Sequence, residues 1–261
     1  MELSLKGKTA LICGSTQGIG LATAKELALL GAECILVARN KESLQSAVES
    51  LATEHLQEHS YVVADFRDTR QVEDAIKEIT NRKSVHILIN NTGGPKGGPL
   101  IEADTHEFTD TFQQHLICNH ILVQAVIPGM IAAGYGRIIN IISTSVKAPL
   151  KGLGVSNTVR WAVASWAKTL AGELAPYGIT VNNVLPGPTN TARLQSLMAA
   201  TATKRNVEIT VVEEELLSEI PMKRFGDARE VAAAAAFLAS PAAGYITGTN
   251  LSVDGGKTPV L

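Results

Sequence analysis

The sequence predicts an α/β fold, a doubly wound parallel β-sheet flanked by helices, in a single domain spanning 1–261. Two observations carry that reading. Short β-branched and aliphatic runs alternate with longer helical patterns, joined by short connections without repeats or linkers. Runs such as Ile35-Leu36-Val37 and Ile138-Ile139-Asn140-Ile141-Ile142 are apolar almost throughout, which suits strands covered on both faces.

The elements follow in order. A strand at 8–13 enters a glycine-rich turn and a helix at 18–30, and a strand at 34–38 precedes a helix at 41–56. A third strand at 61–64 feeds a helix at 69–81, and a fourth at 85–90 leads to a long helix at 105–133. A fifth at 137–142 is followed by a helix at 155–175, and a sixth at 179–185 precedes an insertion at 189–222. A helix at 227–239 and a strand at 250–253 close the pattern. The insertion breaks the rhythm and is expected to be a lid over a substrate pocket. Its Leu194, Leu197, Met198, Leu216 and Leu217 give the expected pocket an apolar lining, suited to a hydrophobic or acyl-bearing ketone.

The chain has 261 residues, 45% of them hydrophobic, enough to bury a large core. Its 23 basic and 25 acidic residues give a formal net charge of −2. Such a balance offers no footprint for nucleic acid or anionic membrane. No run is expected to act as a membrane span of about 18 apolar residues. The opening segment, with Glu2, Lys6 and Lys8, does not read as a secretory signal. Cys13, Cys34 and Cys118 have no metal spacing and leave one unpaired, which suits a reducing, cytoplasmic setting without a metal.

After the first strand comes Gly14-Ser15-Thr16-Gln17-Gly18-Ile19-Gly20, then a helix. Glycines there let the backbone turn tightly and let a pyrophosphate approach the amides of the helix start, where the dipole favours negative charge. That placement marks a dinucleotide-binding turn of the Rossmann type. The Gly-x-x-x-Gly-x-Gly spacing resembles that of the short-chain dehydrogenase/reductase family, and the resemblance runs along essentially the whole chain. It includes Asp65, Asn90-Asn91-Thr92-Gly93, Pro186-Gly187-Pro188-Thr189-Asn190-Thr191, Ile220-Pro221-Met222-Lys223-Arg224-Phe225-Gly226 and Val253-Asp254-Gly255-Gly256. The family resemblance implies that Asp65 borders the adenine, that Asn91 and Gly93 run along the adenosine ribose, and that Pro186, Gly187, Thr189 and Thr191 border the nicotinamide. An acid closing the second strand would select NAD; Val37-Ala38-Arg39-Asn40 stands there instead. Arg39 suits a 2′-phosphate, so NADP(H) is preferred over NAD(H).

The resemblance also implies four catalytic positions, ordinarily Asn, Ser, Tyr and Lys. Ser143 matches the Ser, but Ser156 stands at the Tyr position, Arg160 at the Lys position and His115 at the Asn position. Asn119, one turn further on, recovers the amide if that register is off by a turn. A Ser hydroxyl is a far weaker and shorter acid than Tyr. Arg160 keeps the charge and can hold a cofactor ribose, yet does not relay protons. His115, titrating near pH 6.5 if unperturbed, is chemically able to act as an acid, and a His115 acid predicts rate loss above its pKa. Two functions follow: an NADPH-dependent carbonyl reductase with a rearranged acid, most similar to 3-oxoacyl-carrier-protein reductases, or a catalytically impaired cofactor-binding protein acting as a redox sensor or assembly subunit.

Other signals are set aside. His55-Leu56-Gln57-Glu58-His59 fits a zinc-peptidase pattern but reads as a solvated helix end. Trp161 and Trp166 read as packing residues. The helices at 105–133 and 155–175 would form a dimer face, with Ala232 to Ala236 beside Phe237 as a second close-packed face of a homotetramer.

Overall fold

A computed structural model of the chain describes residues 1–260. Its strands are β1 (Thr9–Cys13), β2 (Glu33–Ala38), β3 (Ser60–Val63), β4 (Ile87–Asn90), β5 (Gly136–Ile141), β6 (Ile179–Pro186) and β7 (Asn250–Val253). They form one sheet in the order β3-β2-β1-β4-β5-β6-β7, every pair parallel. The order reverses direction beside β1, which opens a crevice between the carboxyl ends of β1 and β4, the place where such sheets bind ligands. Strands β1, β4 and β5 are buried at every residue, as their unbroken aliphatic runs require.

Two apolar layers cover the sheet. On one face, α1 (Gly18–Leu29), α2 (Lys41–Glu49) and α9 (Ala228–Ala239) pack Leu27, Leu44, Val231 and Ala235 onto Ile12, Leu36, Ile89 and Ile139. On the other, α3 (Thr69–Thr80), α5 (Cys118–Ala133) and α6 (Gly154–Leu174) pack Ile76, Leu122, Met130 and Leu170 onto Leu11, Leu88, Ile138 and Val181. Across β4 to β7 a row of amides runs in register, Asn90 donating to Asn140, Asn140 to Asn183 and Asn183 to Asn250, each bond 2.8 Å. Asn90, Asn140 and Asn183 are buried. Asn90 and Asn140 sit at the carboxyl ends of β4 and β5 and Asn183 within β6, so the row fixes the register of these strands beneath the crevice. Net, each such bond contributes about 1 kcal/mol, but a broken one strands a buried amide at a cost of about 1–3 kcal/mol.

Several expectations are corrected. The second helix stops at Glu49 rather than running to 56, because the chain must turn back to enter β3. The His55 to His59 segment is therefore a loop, with Leu56 in the left-handed region at φ 62°. His59 accepts from the Cys34 amide through Nδ1 at 3.0 Å and pairs through Nε2 with the Ala52 carbonyl at 2.8 Å. Both nitrogens serve the backbone, which removes the zinc pattern. The long helix is interrupted: α4 (Thr105–Phe112) passes through a π-helical stretch, Gln113–Ile117, into α5. By length and composition alone Thr105–Ala133 would suit a membrane span, its most apolar 18-residue window having a mean hydropathy of 1.8. In the fold its Leu122, Val123, Val126 and Met130 are core residues. Ala232, Ala235 and Ala236 are buried within the chain, where α9 packs on α1, while Ala233 stays exposed and Ala234 and Phe237 half-buried.

The insertion carries two helices, α7 (Ala192–Arg205) and α8 (Ile209–Ser218). Leu194, Met198 and Leu216 pack with Ala202, Val212 and Phe225 in a small core of their own. They hold the two helices together. Leu217 lines a pocket beside Asn190, Phe225 and Gly226, and Leu197 reaches across the crevice, its Cδ2 about 4.0 Å from where a side chain on Gly97 would begin.

Candidate active site

The cradle at the β1–α1 turn is made of backbone. Gly14 has φ +56°, and a Cβ on it would lie 2.5 Å from the Asn91 carbonyl oxygen. A Cβ on Gly20 would lie 2.1 Å from the Gly14 carbonyl oxygen, closer than any real contact. Gln17, the residue before α1, caps the helix with no side-chain bond, and the first turn carries no acid. The amides of Gly18, Ile19 and Gly20 are thus left for an anion, and the missing side chains leave it room. Those features fit a dinucleotide pyrophosphate.

Neighbouring residues brace this turn. Ser15 is buried and donates to the Val37 carbonyl at 3.4 Å, while Thr16 is half-buried at the turn. The Asn91 amide donates to the carbonyls of Cys13 at 3.3 Å and Gly14 at 3.1 Å, so its side chain ties β4 to the turn. Thr189 donates to the Gly187 carbonyl at 3.0 Å, and a Cβ on Gly187 would meet Asp254 at 2.7 Å, so the strand end after Pro186 is close-packed. Thr191 caps α7 by accepting from the Leu194 amide, and its methyl lies 3.4 Å from the Cβ position of Gly18. The 189–222 insertion thereby starts beside the cradle.

At the far end of the crevice, Arg39 is exposed just beyond β2. Asp65 is held by Arg67 through a fork of bonds, the shortest 2.7 Å. That guanidinium chiefly, with burial opposing and Arg39 adding a little, keeps the Asp65 carboxyl below its usual range. Arg67 was missed in the sequence because its role depends on β3 ending beside β2.

The opposite end is made of side chains. Ser143 follows β5, and its Oγ accepts from the Ser145 amide at 3.1 Å, which leaves the hydroxyl proton to donate elsewhere. Ser156 and Arg160 lie one turn apart on α6, the former half-buried and the latter buried. Arg160 Nη1 donates to the Ile141 carbonyl at 3.0 Å, anchoring the guanidinium at the end of β5. Burial, with Arg193 nearby, lowers its pKa to about 10, still charged at neutral pH.

His115 sits in the π-helical stretch, 2% exposed, with Nδ1 2.5 Å from the Thr92 hydroxyl. Its Nε2 is buried without a partner among the described residues. Burial first, and the Arg160 charge second, hold the imidazole well below its ordinary value, against a smaller opposite pull from the Gly93 backbone. The expected acid near pH 6.5 is thereby corrected: His115 is neutral at pH 7. The structure places His115, not Asn119, against the loop after β4, and Asn119 is buried with its Oδ1 unpartnered. Thr92, within the Asn90-Asn91-Thr92-Gly93 motif, joins this end of the site, and so does Arg193, which no local sequence signal announces.

Comparison with known proteins agrees with this geometry. The family described as enoyl-(acyl carrier protein) reductase matches residues 14–258. The NADPH-dependent reductase BacG of Bacillus subtilis is 32% identical over 252 residues, covering 96% of this chain and 97% of that one. The 3-oxoacyl-[acyl-carrier-protein] reductase FabG of Vibrio cholerae is 34% identical over 257 residues, covering 97% of this chain and 98% of its own. The crystal structure of L-sorbose reductase from Gluconobacter frateurii, complexed with NADPH and L-sorbose, superposes with a TM-score of 0.93 at 29% identity, covering 100% of both chains.

Proposed function

This chain belongs to the short-chain dehydrogenase/reductase family, and on that premise we propose that it is an NADPH-dependent reductase of a small-molecule carbonyl compound that uses a non-standard proton donor. The observation that carries the proposal is a complete backbone cradle facing a buried, charged Arg160 at the Lys position. Arg39, with no acid closing β2, supports NADP(H) over NAD(H).

NADPH, when bound, supplies a hydride to the carbonyl carbon while the carbonyl oxygen takes up a proton, leaving an alcohol and NADP⁺. Gly14, Ser15, Thr16, Gln17, Gly18, Ile19 and Gly20 would hold the pyrophosphate, Arg39 and Asp65 the adenosine end, and Asn91, Gly93, Pro186, Gly187, Thr189, Thr191 and Arg160 the remainder. The Ser143 hydroxyl would donate to the substrate oxygen, and the Arg160 charge would stabilise the negative charge that grows there. A neutral imidazole is not the acid, so the proton would come from water, oriented by Ser143, Ser156 and the free Nε2 of His115. Assembly as a homotetramer belongs to the same reading. It is supported by exposed Phe112, Ile117 and Trp161 on α4, the π-helical stretch and α6, and light scattering showing a monomer would sink it.

Single-turnover NADPH oxidation with enzyme in excess, against 3-oxoacyl thioesters, diketones and 2-oxo acids, tests the proposal. It is run beside the double variant Ser156→Tyr with Arg160→Lys. Turnover by the wild type, not improved by the double change, is the expected result. A silent wild type beside an active double variant would replace the proposal with the cofactor-binding, non-catalytic reading.

A further inference from the structure

The crevice holds two guanidiniums with no acid to answer them. Arg160 reaches toward Gly94 from α6 and Arg193 from the first turn of α7. A Cβ on Gly94 would lie 3.7 Å from Nη2 of Arg193 and 3.9 Å from Nη2 of Arg160, so both forks flank one point. Each has a single backbone acceptor: Ile141 for Arg160 and Pro95 for Arg193. Neither has a carboxylate partner among the described residues, whereas Arg67, Arg82, Arg205, Arg224 and Arg229 each have one; the buried Arg137 also lacks one but is bonded by the Gly136, Gly178 and Ser240 carbonyls.

Two cations this close to one point repel each other, and although Arg193 is exposed and screened by solvent, Arg160 is buried. An arrangement that costs this much persists where an anion completes it. The dinucleotide's own charges would have places elsewhere, the pyrophosphate at the α1 start and the 2′-phosphate at Arg39, and the ribose that Arg160 would hold carries no charge to answer it. The lid argues in the same direction, since its Leu194, Met198 and Leu216 pack against one another instead of offering an acyl-chain surface.

We propose that Arg160 and Arg193 form a carboxylate subsite, so that the substrate is an oxo acid rather than a neutral ketone. This rests on the reductase reading above. Arg160 is anchored at Ile141, two residues before Ser143, which limits the substrate to a carboxylate only a few bonds from the reducible carbonyl, a 2-oxo or 3-oxo acid. Arg193 would give up the Pro95 carbonyl for the carboxylate and fasten the lid across the crevice. The planar fork of each guanidinium matches a carboxylate, which the ester of the same acid does not offer.

Protein saturated with NADP⁺, which has no hydride to give, is titrated calorimetrically with phenylpyruvate and acetoacetate and with their ethyl esters. At least one acid is expected to bind about tenfold or more tightly than its ester. Arg193→Gln removes that preference while the NADP⁺ affinity moves by less than about twofold, and Arg193→Lys keeps part of it. Equal binding of acid and ester in both pairs, or binding of none of the four, overturns the carboxylate subsite and leaves the reductase reading standing. A loss of NADP⁺ affinity of about tenfold in Arg193→Gln also overturns it, because the guanidinium then serves the cofactor. Absence of NADP⁺ binding to the wild type overturns both.

Discussion

At the β1–α1 end of the crevice, contacts are made by backbone: Gly14 and Gly20 exclude side chains, and an uncapped helix presents its amides. At the β5–α6 end, contacts are made by side chains: Ser143, Ser156, Arg160 and His115, with Thr92 and Arg193 beside them. The first kind of site has little freedom, because any added atom collides with the main chain. The second can exchange Tyr for Ser or Lys for Arg without disturbing the sheet. The amide row from Asn90 to Asn250 holds the scaffold beneath that end whatever side chains project from it.

That comparison can be broken most forcefully at Gly20. Gly20→Ala places a methyl against the Gly14 carbonyl, and NADPH affinity is expected to fall about a hundredfold or more. Near-normal fluorescence titration of NADPH with this variant would show that the cradle is not set by backbone clearance. Next in size is Arg39→Ser, which should lower the preference for NADPH over NADH by about tenfold to a hundredfold, through loss of a charge-assisted phosphate contact. An unchanged ratio of the two dissociation constants would assign that selectivity to another cation, Arg67 first.

The pH profile is a smaller effect and bears on the side-chain end. Because burial and Arg160 hold His115 below its ordinary value, kcat/KM should stay flat from pH 7 to 9. A fall across that range, with a midpoint near neutrality, would restore His115 as the acid. The same depression acts on stability. The unfolded chain takes up a proton at His115 below about pH 6.5 whereas the folded chain does not, so this group lowers the melting temperature as pH drops from there. His115→Asn should flatten that acid limb.

The smallest expected signal is thiol reactivity. Burial pushes the Cys13 and Cys34 thiols up beyond the range where a thiolate forms, and Cys118 to about 12, with burial its main cause. A thiol-specific reagent should label none of the three in the native protein and all three after denaturation. Native labelling at Cys13, next to the cradle, would show that the backbone end opens in solution.

The alternation of strands and helices, the glycine turn, the cation after β2 and the departure at Ser156, Arg160 and His115 were legible in the sequence. Each depends on local pattern: apolar runs, glycine spacing or an offset along one helix. The end of α2 at Glu49 was not, because Lys41 to Leu56 reads as helix until β3 has to be reached. The contacts of the insertion's apolar residues were not legible either: Leu194, Met198 and Leu216 pack against one another, whereas Leu217 borders a pocket.

The sequence by itself determined the fold class and the nucleotide end, whose physics is local: missing Cβ atoms and a helix start a few residues away. Tertiary structure decided the rest. Whether His115 is an acid depends on its burial beside Arg160, 45 positions along the chain, and whether Arg193 is a lid ornament or half of an anion site depends on where α7 folds over Gly94. Charge and desolvation act through space over a few ångströms, and only the folded chain sets those distances.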